Sequence, residues 1–122
     1  MKYDLIMTSE NQDITLYEEE SKVINPSSLT DQNDNVVDLT NVDLEWVVVD
    51  GVGNEIISKT DGNGINITSA TSGEWEIIVN PSDTDGEGGD YYKHEARLID
   101  ETGDESVIAT GDFQIKKSYT DS

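Results

Sequence analysis

The chain has 122 residues, 34% of them hydrophobic, with 10 glycines and no cysteine. Asp and Glu total 27 against 7 Lys and Arg, a net charge of −20. That charge excludes nucleic-acid binding by the electrostatic route and disfavours anionic membranes, since phosphates would be repelled; the missing cysteines exclude a disulfide framework and a thiolate metal site.

One domain suits this length. No run of about 18 apolar residues is available to span a membrane. The apolar part of "MKYDLIMTSENQ" is too short and too polar for a secretory signal. The acid excess is spread along the chain, not gathered in one tail. Dispersed acid with few lysines resembles the surfaces of proteins from salt-loving organisms. Such a surface repels itself at low salt and is screened at molar salt, where the Debye length is roughly 3 Å.

No window keeps apolar residues at helical spacing for three turns, so strands are expected. "KYDLIMT" (2–8) reads as a first strand and "SENQ" (9–12) as a turn. "DITLYEE" (13–19) alternates Ile14 and Leu16 against Thr15 and Tyr17. The stretch 18–35 is weak: it holds Pro26, a short "SLT" piece, and "DQND" as a turn. "VVDLTNVDLEWVVVD" (36–50) carries the clearest strand, with Leu44, Trp46 and Val48 on its core face. "GVGN" turns the chain into "EIIS" (55–58), and "KTDGNG" (59–64) turns it again into "INIT" (65–68).

"EWEIIVN" (74–80) places Trp75, Ile77 and Val79 on one face. "YYKHEARLID" (91–100) does the same for Tyr92, His94, Ala96 and Leu98. "ETGD" (101–104) leads to the last strand, "ESVIATGDFQIKK" (105–117), in which Gly111 marks a bulge or a close contact. The pattern predicts an all-β chain: an immunoglobulin-like antiparallel β-sandwich of about seven or eight strands in one domain. Residues 1–32 are expected as an N-terminal arm or interface strand, and 118–122 as a frayed tail.

"PSDTDGEGGD" (81–90) raises the sharpest chemical question. Counted from Asp83, an EF-type calcium loop fits through Asp85, Glu87 and Gly88, then fails, because position 12 is His94 and not Glu. A looser calcium site on Asp83, Asp85, Glu87 and Asp90 is the alternative. The reading adopted is a turn: Pro81 ends a strand, the aspartates bond to nearby amides, and Gly86, Gly88 and Gly89 reverse the chain. Tyr91 or Tyr92 is then placed to bond back to upstream backbone as a tyrosine corner, and Tyr92 suits better because it shares the face of Ala96 and Leu98.

His94 has no cysteine or second histidine to share a metal, so it reads as a packed strand residue. Asn66-Ile67-Thr68 matches the glycan acceptor pattern, which matters only in an exported chain. No nucleophile, base and acid stand out together, so no enzyme and no cofactor are expected.

Two stretches, 33–59 and 77–115, carry a resemblance. Its motifs are Asp38-Leu39-Thr40, Ser82-Asp83-Thr84, Gly89 ahead of Tyr91 and Tyr92, and Gly111-Asp112-Phe113-Gln114-Ile115. Together they resemble small immunoglobulin-like domains of tailed viruses, as in upper baseplate proteins and other head or tail structural proteins of bacteriophages. Residues 1–32 depart from that pattern, and "DTDGEGG" replaces a more apolar turn. The resemblance implies a non-enzymatic virion building block and, with the charge, a virus of halophilic archaea. Trp46, Tyr92, Gly89 and Phe113 would be its structural residues. Its partners would be other virion proteins, in a homo-oligomer or symmetric assembly, with edge positions in 2–20 as the interface. The alternative is a carbohydrate-binding or adhesion sandwich that uses calcium, or an open face of Tyr17, Tyr91 and Trp75.

Overall fold

A strand whose alternate side chains are apolar must bury one face, and that rule orders most of this molecule. The computed structural model describes residues 12–26 and 28–120. Its strands are β1 (Ile14–Tyr17), β2 (Lys22–Ile24), β3 (Asp43–Val49), β4 (Glu55–Asp61), β5 (Gly64–Ser69), β6 (Glu74–Val79), β7 (Asp90–Ile99) and β8 (Glu105–Lys116). The chain is all-β, with two single 3₁₀ turns at Ala70–Ser72 and Pro81–Asp83. The strand expected over 2–8 lies outside the described residues, as does most of the 2–20 interface.

The strands form one mixed sheet in the order β1-β8-β7-β3-β4-β5-β6-β2, curled nearly into a barrel. Its halves, β8-β7-β3 and β2-β6-β5, reproduce the G-F-C and B-E-D neighbour orders of an immunoglobulin-like sandwich. The expectation of a purely antiparallel arrangement needs correction at two pairs. β1 runs parallel to β8, Ile14 opposite Phe113 and Tyr17 opposite Lys116. Parallel neighbours need a long crossover, and here the whole domain between them serves as one. β4 and β5 meet in parallel for two residues only, Thr60 opposite Gly64 and Asp61 opposite Ile65, where the chain turns a corner. Gly62 (φ 82°) and Gly64 (φ 99°) supply that corner.

Within the 1–32 segment expected as an arm or interface strand, β1 and β2 are the two edge strands of the sheet, paired to β8 and β6.

The core lies between the halves. Leu44, Trp46 and Val48 of β3 face Trp75, Ile77 and Val79 of β6 within one buried cluster. Trp46 packs on Phe113 with ring centroids 5.7 Å apart. Each large apolar side chain buried this way contributes about 1.5–3 kcal/mol. Leu29, Val37 and Leu39 join the core from a segment outside the named strands. Long-range backbone bonds hold that segment: Leu29 N–H to Gly73 O (3.2 Å), Val37 N–H to Leu29 O (2.9 Å) and Leu39 N–H to Ala70 O (2.9 Å).

Three connections repeat one five-residue loop: Asp31–Asn35, Asp50–Asn54 and Asp100–Asp104. In each, the N–H of the first residue bonds to the carbonyl of the fifth at 2.9 Å. The N–H of the fourth residue returns to the carbonyl of the first at 3.0–3.1 Å. The Oδ1 of the leading aspartate accepts the N–H groups of the third and fifth residues. The fourth residue has positive φ: Asp34 at 62°, Gly53 at 89° and Gly103 at 91°.

Candidate functional site

The outward side of the β1-β8-β7-β3-β4 half carries the residues that alternate with the core set. Tyr91, Lys93, Glu95 and Arg97 of β7 stand beside Val49, Val47 and Glu45 of β3. On their other side are Gln114, Asp112 and Thr110 of β8, and beyond those Thr15 and Tyr17 of β1. A groove of about 500 Å³ runs over this face. Val47, Val49 and Thr110 contribute to its lining, together with the charged Lys93, Glu95 and Asp112.

The charges on this face neutralise one another. The Lys93 ammonium pairs with Asp112, which raises the lysine's pKa. Arg97 Nε lies 3.0 Å from Glu95 Oε2, and that carboxylate holds the guanidinium proton more tightly. Lys116 Nζ sits 5.7 Å from the centre of the Tyr17 ring. Lys93, Arg97 and Lys116, three of the chain's seven Lys and Arg, therefore lie here, among half-exposed valines. Tyr17 is 52% and Tyr91 71% exposed on the same face. Exposed pairs like these add little stability, so their placement concerns the surface more than the fold.

Directly beneath lies His94, buried and held at both ring nitrogens. The Trp46 indole Nε1–H donates to His94 Nδ1 at 3.1 Å. Because Nδ1 accepts, the ring proton of the neutral imidazole sits on Nε2, which donates to the carbonyl of Gln12. Burial pushes the His94 pKa down, and the Gln12 carbonyl, Asp13 and Asp112 oppose that shift. A ring committed at both nitrogens is not a free general base. Gln12 reaches it by crossing Gly111, where an added Cβ would stand 2.4 Å from the Gln12 oxygen. The close contact expected at Gly111 is thus with the chain leading into β1.

The 81–90 turn does not gather its carboxylates. Asp83 Oδ2 takes the Lys59 ammonium at 2.7 Å and the Asn80 N–H at 2.7 Å. Glu87 Oε2 accepts the Tyr92 hydroxyl at 3.0 Å. Asp85 and Asp90 join neither of them in a cage: among the described residues no group of three or more His, Cys, Asp or Glu is placed to hold a metal ion. The same Tyr92 hydroxyl donates to the Glu87 carbonyl at 3.0 Å, five residues upstream, which is the geometry of a tyrosine corner. Burial, then the Glu87 side chain, pushes the Tyr92 pKa up to about 12. Gly89, at φ 92°, donates its N–H to the Ile115 carbonyl at 2.7 Å. Phe113 and Trp46 are fully buried.

The open face of Tyr17, Tyr91 and Trp75 does not form. Trp75 is buried, because its side of β6 faces the core along with Ile77 and Val79. Of the three, only the two tyrosines share an exposed surface.

Sequence reasoning missed three structural residues. Glu18 accepts the N–H of Gly88 (3.1 Å) and of Ser118 (3.2 Å), tying the β1–β2 turn to the 81–90 turn and the chain's last described residues. Thr84, fully buried, accepts the Glu19 N–H at 2.8 Å. Lys59, expected in a turn, lies inside β4 and is buried against Asp83. A lone Glu, Thr or Lys between turn residues has no periodic signal that would have revealed these roles.

No protein-family model matches the chain. No curated protein matches it either.

Proposed function

We propose that the chain is a non-enzymatic virion structural protein, a capsid decoration, turret or tail-associated module that works by protein–protein contact. The observation that carries this reading is the outer face of the β1-β8-β7-β3-β4 half. In a chain of net charge −20, that face pairs its cations with its acids around a valine-lined groove and exposes two tyrosines. Paired charge and exposed aromatics mark a surface that accepts a protein neighbour without long-range repulsion. The virion setting rests on the resemblance of residues 33–59 and 77–115 to structural domains of tailed viruses. The dispersed acid supports a saline habitat, such as that of a virus of halophilic archaea. The partners are neighbouring virion proteins and further copies of the chain.

Mass spectrometry of purified particles from the natural source tests the virion setting. The chain should be present in fixed ratio to the major particle protein. Recovery only from the particle-free lysate would contradict it.

A further inference from the structure

Short backbone bonds close the corner between β4 and β5. Thr60 N–H donates to the Asn63 carbonyl at 3.1 Å, Asn63 N–H to the Thr60 carbonyl at 2.8 Å, and Gly62 N–H to the Ile65 carbonyl at 2.9 Å. The Gly64 N–H takes part in none of these. Asn63 is exposed, and among the described residues no bond engages its side-chain amide. The corner also anchors its surroundings. Asp61 Oδ1 accepts the Leu44 N–H at 2.8 Å, and the Lys59 ammonium holds Asp83 at 2.7 Å. None of these residues lines the outer groove, so the chemistry here is independent of the function proposed above.

Asn63 is the one asparagine that a glycine follows; the others precede Gln, Pro, Asp, Val, Glu or Ile. A side chain on the following residue crowds that residue's amide nitrogen, and glycine has none. The Gly64 nitrogen is therefore free to close on the Asn63 side-chain carbonyl carbon, one residue away. That closure forms the N–Cγ bond, breaks the Cγ–Nδ2 bond and releases ammonia, which carries off the proton of the Gly64 amide. Water then opens the resulting imide. Attack at Cγ gives aspartate. Attack at the backbone carbonyl gives iso-aspartate, in which the chain runs through Cβ and Cγ. Either product carries a carboxylate where Asn63 had an amide.

We propose that Asn63 is a modification site, where spontaneous loss of ammonia through a succinimide opens the β4–β5 corner as the chain ages. In the iso-aspartyl form, the carbonyl that accepts the Thr60 N–H leaves the main chain as a free carboxylate. An extra backbone carbon enters the corner at the same point, between the residues that the Thr60–Asn63 and Gly62–Ile65 bonds hold at fixed spacing. The contacts anchored there, Leu44 to Asp61 and Lys59 to Asp83, loosen with it. The new negative charge stands two residues from Asp61 in a chain already at −20. The change runs one way, since ammonia is lost to solvent.

The test is timed incubation of the whole folded chain at molar salt, followed by peptide mass spectrometry that assigns aspartyl and iso-aspartyl forms to their residues. Asn63 should convert ahead of every other asparagine. Conversion should be faster at mildly alkaline than at neutral pH, because the Gly64 amide must give up its proton. The aged chain should melt below Asn63→Asp, which carries the charge without the extra backbone carbon. Its amides should exchange faster across 59–65. Asn63→Ser, which cannot form the imide, should keep its melting temperature through the same incubation. Intact Asn63 after another asparagine has converted, or conversion of Asn63 only in urea-unfolded chain, would overturn the site. An aged chain that melts together with Asn63→Asp, or a serine variant that loses stability equally, would overturn the opening of the corner.

Discussion

Trp46 and His94 are joined on adjacent strands by a 3.1 Å bond from the indole Nε1–H to the imidazole Nδ1. This bond works only while the histidine is neutral, because a protonated Nδ1 would be a second donor pointing at the indole proton. The other ring nitrogen holds Gln12, and through it the start of β1. One neutral side chain therefore links the centre of the core to an edge strand.

Stability should depend on pH through His94, because burial lowers its pKa below the ordinary value of 6.5. The unfolded chain takes up a proton near 6.5, and the folded chain does so only at lower pH. The unfolded state then binds more protons in this window, so stability is fully present above about pH 6.5 and falls as pH drops toward the depressed folded value. Most carboxylates titrate lower, near about 4, which leaves the upper part of this window to histidine. Thermal melts from neutral to mildly acidic pH should show a falling midpoint in the parent chain. His94→Leu should start lower and show a flatter slope. A parent slope equal to that of the variant would refute the assignment.

Gly111 is required where Gln12 crosses it. Gly111→Ala places a methyl group 2.4 Å from the Gln12 oxygen and 2.6 Å from its carbonyl carbon. Backbone atoms cannot rotate away as a flexible side chain would, so β1 must move. The expected cost is about 1–3 kcal/mol, the usual range for overpacking. Hydrogen exchange should speed up selectively in Gln12–Tyr17 and in the facing half of β8. Unchanged protection there would contradict the contact.

The repeated five-residue loop makes an unusual prediction about Asp34. Gly53 and Gly103 occupy the equivalent left-handed position in the other two loops, but Asp34 holds it at φ 62° with a side chain. Asp34→Gly should stabilise the chain by up to about 1 kcal/mol, since a left-handed residue other than glycine costs about that much. Asp50→Ala should destabilise the chain, because it frees the N–H groups of Val52 and Asn54. Those same N–H groups, Asn54 first, lower the Asp50 pKa. Urea denaturation of both variants checks the two signs.

Salt should raise the melting temperature, because 27 acids against 7 bases repel one another at low ionic strength. Circular-dichroism melts from low to molar sodium chloride should rise steadily. Calcium at constant ionic strength should add nothing, as Asp83 is occupied by Lys59 and Glu87 by Tyr92. A calcium-specific rise would make the 81–90 turn a metal site.

The central strands were legible because each alternates over enough residues to declare a face. Leu44-Trp46-Val48, Trp75-Ile77-Val79 and Tyr92-His94-Ala96-Leu98 all turn inward as their spacing suggests. The Tyr92 corner was readable for a different reason: glycines followed by an inward tyrosine form a local pattern. The stretch from Lys22 to Val42 was not legible. β2 is three residues long, Leu29 and Leu39 are held by bonds to Gly73 and Ala70, far along the chain, and Val37 is held in turn by Leu29. Such contacts leave no periodicity to read. The parallel pairing of β1 with β8 is equally non-local. Of the outer face, the alternation placed the residues correctly, but the charge pairing across β7 and β8 depends on a register that only the folded sheet supplies.

Sedimentation velocity at molar salt tests the outer face as a protein-contact surface most directly, comparing the parent chain with Val47→Asp and Tyr91→Ala. The parent should associate with copies of itself as concentration rises. Both variants should remain monomeric while melting within a few degrees of the parent, since neither residue belongs to the buried core. A parent that stays monomeric at every concentration, or association untouched by either substitution, would contradict a self-associating role for that face.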